Sequence, residues 1–341
     1  MKEGLFQFHT KASEGVRNLL EDTTLGSNGA KYQLLDTKDK IDDLDHPLFL
    51  TLQRTDKVLG NVTFCRRNNH WYIRYFAFKQ QIQSDGKKKS KSKKSRLKNE
   101  LKSFFESSLE NGFDTEHVHS FYAYIEPKNV KSLWMTEQFG FKKIGEKVSQ
   151  TFSCYSPKKK VDIKYSSDWS IVPENIKNHF RRMNYFFEDV FFQGEFTYVL
   201  DENGEFSAFC KTSIANWKIE KLPGKLGGML VKMIPFIPVL NRLIKPKKHT
   251  FIIPEAVWIK ENDSNLLSSF FESILAEKKL NLIIWWVDVK DVLFKESVKK
   301  VKWGLVHEIT GNSPVFVVAK SNDFSFFNES QPIYSAGMDS F

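Results

Sequence analysis

One phrase of this chain occurs twice: Leu101-Lys-Ser-Phe-Phe-Glu-Ser-Ser-Leu109 returns as Leu267-Ser-Ser-Phe-Phe-Glu-Ser-Ile-Leu275. Each copy is followed by an apolar strand-like run, a second helical pattern and a glycine beside bulky residues. In the first copy these are Phe121 to Ile125, Asn129 to Gln138, and Phe139-Gly140-Phe141. In the second they are Leu282 to Val287, Asp291 to Val301, and Trp303-Gly304-Leu305. A shared order of elements predicts a duplication, and a period longer than about 50 residues means tandem domains rather than a solenoid. At 341 residues the chain has room for roughly two domains of about 150 residues each.

Hydrophobic residues make up 41% of the chain and Phe alone supplies 31, ample material for packed cores. Cys65, Cys154 and Cys210 have no paired spacing, which argues against a disulfide framework or a Cys-rich zinc site and fits a reducing compartment. The N-terminal residues lack a signal-peptide core, and no run of about 18 apolar residues predicts a spanning helix. A cytoplasmic protein is expected. The net charge is +10, and Lys87, Lys88, Lys89, Lys91, Lys93, Lys94 and Arg96 lie together in one short stretch without an acid. Such a run binds phosphates, nucleic acid or anionic lipid, or stays solvated; it lacks the interleaved aromatics of a base-stacking surface.

Residues 48–78 read as an antiparallel meander of β-branched and aromatic strands with tight turns. Leu97, Leu101, Phe104, Phe105 and Leu109 follow at helical spacing. The predicted layout is a first domain over 1–156, a second over 161–325 and a tail over 326–341. In the second domain, a helix is expected from Glu174 to Phe192 and a hairpin around Asp201 to Gly204. Residues 222–244 have no counterpart in the first half. They are apolar, interrupted by Pro235 and Pro238 and flanked by basic residues, as in a hairpin of short helices over a cleft or interface, or a segment resting on a membrane surface.

The segment from Tyr124 through Asn129, Ser132 and Gly140-Phe141 to Gly145 resembles the second half of a GNAT-type N-acetyltransferase. The resemblance covers most of 48–150 and, more weakly, 196–320. It implies an α/β (α+β) chain of two GNAT-like domains, each a mixed, mostly antiparallel sheet flanked by helices. It also implies acetyl-CoA or another acyl-CoA as co-substrate, held where two parallel strands splay, with its pyrophosphate on the amides of a helix N-terminus. Carried onto this sequence, the cofactor positions are the strand-end residues Ala77 and Phe78, then Gln83, Gly86, Lys87 and Lys88, and Asn129. Asn129 also reads as a simple N-cap. A second register of the phosphate loop, Lys89 to Lys94, has no glycine.

The resemblance implies acyl transfer to a primary amine, with Glu126 as base and Tyr75 or Tyr124 as proton donor. The family's usual Tyr position holds Thr136, a poor acid. The second copy has the acidic connection Lys260 to Asn265 and no phosphate loop, so it reads as degenerate. Two other readings stand beside this one: a binding or scaffold protein that has lost the cofactor, and a relative of the aminoacyl transferases that draw on charged tRNA. His117-Val-His119 has no third ligand in the sequence, and no metal site is expected.

Overall fold

The computed structural model describes residues 5–26, 30–55, 57–79, 91–222, 224 and 226–340. They form two compact units. The first takes in residues up to 25, 35–144 and 317–326; the second takes in 26–34, 145–316 and 327–341. The junction therefore falls at 144/145, and 317–326, read from the sequence with the second domain, belongs to the first unit.

In the first unit the strands lie in the order β1 (Phe6–His9), β3 (Pro47–Arg54), β4 (Lys57–Arg67), β5 (His70–Phe78) and β6 (Ser120–Ile125), followed by the end of β13 (Ser313–Ser321). Neighbours through β5 are antiparallel, and β5 and β6 are parallel. A parallel pair needs a crossover, and the helix Lys91–Asn111 supplies it. This helix carries the first copy of the repeated phrase, and its Leu101, Phe105 and Leu109 are buried. Phe105 meets Phe121 at 4.9 Å and Phe141 edge-on at 5.3 Å, while Phe104 and Trp71 extend the aromatic core.

In the second unit the order is β7 (Lys142–Ser153), β12 (Leu282–Asp288), β11 (His249–Ile259), β10 (Phe206–Lys221), β9 (Phe196–Leu200) and β8 (Lys164–Ser166), with β2 (Lys31–Leu34) also on β10. Again one pair, β11 and β12, is parallel, and again the crossover is the helix bearing the repeated phrase, Ser264–Lys278. Its Leu267, Phe270, Phe271, Ile274 and Leu275 are fully buried against Phe152, Ile283 and Trp285. The glycines that follow each copy, Gly140 and Gly304, both adopt positive φ, 84° and 88°. At Gly304 a Cβ would lie 2.1 Å from the Ser153 carbonyl oxygen, so only glycine fits. Both units thus have the expected fold class, a mixed and mostly antiparallel sheet flanked by helices.

Two local expectations are corrected. The helix expected from Glu174 to Phe192 ends at Arg181 and resumes only for Glu188–Phe191. Tyr185 between them has φ 54°, and Phe186 and Phe191 turn inward onto each other at 5.0 Å. Aromatic burial here overrides helical propensity. Residues 326–341, expected as a tail, include Ile333, Tyr334 and Ala336, all buried in the second unit. Residues 222–244 do form short helices, Gly227–Met233 and Pro238–Leu243, joined by a 3-10 turn. Among the described residues no helix is long and apolar enough to cross a membrane.

Candidate active site

In the first unit β5 and β6 pair only over His70↔Ser120, Trp71↔Phe121 and Tyr72↔Tyr122, and beyond that point they part. The last paired position is fixed from below. Buried Arg67 holds Asp45 at 2.6 Å and donates to the Tyr122 hydroxyl at 3.2 Å, and the Tyr72 and Tyr122 rings pack at 5.3 Å. At the closed end His70 lies 2.8 Å from the Ser120 hydroxyl, and burial, with the charge of His119, pushes its pKa down to about 4. The parting coincides with a β-bulge. Thr63 pairs with Tyr75 and Phe64 with Ile73, which leaves Arg74 as an extra residue on β5.

Past the bulge, the Lys79 amide donates to the Leu59 carbonyl on β4 at 2.9 Å. Alternation along the strand then turns the amides of Phe76 and Phe78 away from β4, toward the side that β6 has left. Ala77 is buried opposite Asn61, with its amide on the β4 side. The Phe78 ring covers Gly60, where a Cβ would come within 2.2 Å of it. Tyr75 is buried beneath the Arg74 guanidinium, 5.0 Å from its ring. Tyr124 is half-buried, its ring 5.0 Å from that of Tyr72.

Glu126 and Asn129 come together at the mouth of β6. The Asn129 amide donates to the Glu126 carbonyl at 2.8 Å, and the Asn129 side chain accepts from the Ser132 amide at 3.2 Å. Asn129 is thus the N-cap of the helix Val130–Gln138. None of that helix's residues is buried although it contains Val130, Leu133, Trp134 and Met135; Trp134 is 56% exposed, with the Lys98 ammonium 5.3 Å from its ring. Thr136 donates its hydroxyl to the Leu133 carbonyl at 2.8 Å. Gln83, Gly86, Lys87 and Lys88 lie outside the described residues. The basic run resumes in the first turn of the helix that begins at Lys91, a turn with no acidic residue.

The second unit repeats the geometry with different contents. β11 and β12 pair at Ile252↔Ile283 and then part. β11 also carries an extra residue, between Glu255 and Trp258, where Ala256 takes the uncommon φ of 54°. Here the gap is filled by the chain itself. Tyr334 donates its hydroxyl to Glu255, the Gly337 amide donates to the same carboxylate at 2.8 Å, and the Ile333 amide donates to Asp288 at 3.1 Å. Lys147, with no exposure, donates to the Tyr334 carbonyl at 2.8 Å and to the Ser335 hydroxyl. Lys211 reaches Glu255 at 3.3 Å.

What remains is a cavity of about 30 Å³ lined by Phe180, Trp285, Asp288, Asp291, Tyr334 and others, enough for about one water molecule. Burial, with the charge of Asp288 adding to it, pushes the Asp291 pKa up to about 6. Sequence reasoning missed this cluster. Its one local signal is Glu255, a lone acid in the otherwise apolar run Phe251 to Ile259.

No protein-family model and no curated protein matches the chain. Solved structures do. N-myristoyltransferase of Saccharomyces cerevisiae with bound myristoyl-CoA superposes with a TM-score of 0.52 at 9% identity, covering 94% of this chain and 81% of its own. A second structure of that enzyme, with myristoyl-CoA and inhibitors, gives 0.51 at 11% identity and covers 93% and 80%. A GCN5-related N-acetyltransferase from Sphaerobacter thermophilus gives 0.49 at 8% identity, with coverage of 93% and 95%. At such identities the likeness is one of fold. The chain shares the fold of the N-myristoyltransferase structures, a mixed and mostly antiparallel sheet flanked by helices.

Proposed function

We propose that this protein is an acyl-CoA-dependent N-acyltransferase whose first unit takes the acyl-CoA between β5 and β6 and passes the acyl group, acetyl in the simplest case, to a primary amine. The observation that carries the reading is the parting of β5 from β6 after Tyr72 and Tyr122, with the helix Val130–Gln138 starting just past the end of β6. Two further features support it. The helix Lys91–Asn111 opens on the basic run of the sequence and has no acidic residue in its first turn, which suits an anionic ligand at that end. The helix Val130–Gln138 keeps apolar side chains unburied beside the same strands.

Acyl-CoA brings an activated thioester. In the proposed reaction the amine nitrogen bonds to the thioester carbon, the carbon–sulfur bond breaks, and the sulfur leaves with a proton. A backbone amide of β5 past the parting would hold the polarised carbonyl oxygen, with Phe78 among the cofactor contacts. Glu126, at the mouth of β6, takes the amine's proton through water, and Tyr75 or Tyr124 protonates the sulfur. Ala77, Gln83, Gly86, Lys87, Lys88 and Asn129 complete the proposed cofactor contacts. The second unit serves as a degenerate copy from a tandem duplication, because its parting strands are closed by its own residues 333–337 and lined with carboxyl groups that repel a pyrophosphate.

One observation favours a second reading, a non-catalytic binding or scaffold protein that has lost the cofactor: the Thr136 hydroxyl is committed to the Leu133 carbonyl. Calorimetric titration separates the two readings, using acetyl-CoA, myristoyl-CoA and CoA against the intact protein and a variant with Lys87, Lys88 and Lys89 changed to Ala. Micromolar binding that the variant loses supports the enzyme reading, and the tighter acyl-CoA reports chain length. Absence of binding by the intact protein overturns it.

A further inference from the structure

The connection between β10 and β11 carries a surface that acyl transfer does not use. In the first unit the corresponding strands β4 and β5 are joined by Asn68 and Asn69 alone. In the second, the short helices Gly227–Met233 and Pro238–Leu243 intervene. One side of this hairpin is anchored. Leu222, Ile234, Leu243 and Ile244 are buried against Phe251, Ile253, Leu282 and Ile284. The other side presents Leu226, Met229, Met233, Phe236 and Val239, of which Phe236 is 85% exposed. Residues 226, 229, 233 and 236 recur at helical spacing, so they form one apolar ridge.

The charge along the segment itself has a single sign. No acid occurs between Lys221 and Pro254, whereas Lys225, Lys232, Arg242, Lys245, Lys247 and Lys248 all fall there. Lys232, Arg242, Lys245, Lys247 and Lys248 are exposed, and among the described residues none of these five is in an ion pair with a carboxylate. The hairpin also sits at the His249 end of β11, near the Ile252↔Ile283 pairing and away from the end where β11 and β12 part, so it is no lid over that gap.

Exposed aliphatic, Met and Phe side chains on a segment whose described cations are in no carboxylate pair match a bilayer interface that offers acyl chains below and anionic headgroups above. A protein partner would have to supply both an apolar groove and a ring of acids. We propose that the 226–248 face docks this protein on an anionic membrane surface, with Phe236 inserted and the Lys245, Lys247 and Lys248 cluster on the headgroups. The proposal stands whatever the outcome of the acyl-CoA titration.

Co-sedimentation of the full chain with vesicles tests it, using phosphatidylcholine alone and phosphatidylcholine with roughly 30 mol% phosphatidylserine. Binding is expected on the anionic vesicles and is reduced by salt. Changing Lys245, Lys247 and Lys248 together to Ala lowers the partition coefficient by on the order of a hundredfold, and Phe236→Ser lowers it roughly tenfold. Both variants alter exposed side chains and retain the far-UV spectrum of the parent. Lack of binding to anionic vesicles overturns the proposal, as does equal binding to neutral ones or binding that both variants retain. Self-association that Phe236→Ser abolishes, seen by sedimentation velocity without vesicle binding, overturns it in favour of a second copy on this face.

Discussion

Tyr334 donates its hydroxyl to Glu255 at 2.5 Å, joining residues 79 positions apart in sequence inside the second unit. The contact explains why the C-terminal segment is ordered core rather than tail. Glu255 also receives the Gly337 amide and faces Lys211, so one carboxylate gathers a phenol, a backbone amide and an ammonium.

Removing that carboxylate is therefore expected to cost more than removing any one donor. Tyr334→Phe loses a single bond to a charged acceptor and should destabilise by about 1.5–3 kcal/mol. Glu255→Ala leaves Lys211 with the Val190 and Phe191 carbonyls, each at 3.2 Å, and the Trp169 ring but no carboxylate, and it removes the acceptor of the Gly337 amide. A loss of about 3–5 kcal/mol is expected. Urea unfolding of both variants checks the order. Equal small losses would mean that the segment is held by apolar packing alone.

Asp291 gives the stability of the second unit a pH signature. Burial and the neighbouring Asp288 raise its pKa to about 6, whereas an unfolded Asp titrates near about 4. Between these values the folded protein holds the extra proton. The contribution is therefore fully present below about pH 4 and is lost as pH rises through about 6. Asp291→Asn keeps a cap for the Phe294 amide, which Asp291 accepts at 3.0 Å, and removes the buried charge. The variant should match the parent near pH 4 and exceed it by about 1–3 kcal/mol at pH 7. Burial lowers the pKa of His70 and of His249 to about 4, which gives an opposite slope shared by both proteins, so it cancels from the difference. A constant difference across this range would remove Asp291 as its source.

The repeated phrase made the crossover helices legible, because Leu101, Phe105 and Leu109, like Leu267, Phe271 and Leu275, sit on one buried stripe that periodicity reveals. The glycines after each copy were legible as part of the repeat, and both adopt positive φ. The second-unit cluster was not. Lys147 meets Tyr334 across 187 positions, and no local pattern encodes which buried lysine will find which carbonyl. The run Tyr185-Phe186-Phe187 misled for a related reason: its spacing is compatible with a helix, and only the tertiary pocket around Phe191 and Tyr334 decides otherwise.

Asn129 can be tested for its two roles separately. As the N-cap of Val130–Gln138 it accepts from Ser132, so Asn129→Ala should cost about 1 kcal/mol and Asn129→Asp almost nothing. If Asn129 also contacts acyl-CoA through its amide nitrogen, the Asp variant binds acyl-CoA more weakly while keeping its thermal midpoint. Parallel thermal scans and titrations read both quantities. Unchanged affinity in the Asp variant would leave the cap as its whole role.

The proposed chemistry assigns unequal weight to Thr136 and Glu126, and kinetics can weigh them. Thr136 occupies the place where the GNAT resemblance implies a phenolic acid, yet its proton is directed at the Leu133 carbonyl. Thr136→Ala should therefore leave kcat within about twofold. Glu126→Gln removes the proposed base and should lower kcat by about 100-fold, with little change in acyl-CoA affinity and with loss of the acid limb of the rate profile. Of Tyr75→Phe and Tyr124→Phe, the one that removes the proton donor should depress kcat and the basic limb, while the other changes stability alone. If Thr136→Ala proves the most damaging of the four, the leaving sulfur is protonated from the helix rather than from β5 or β6, and the roles given to Tyr75 and Tyr124 fall with it.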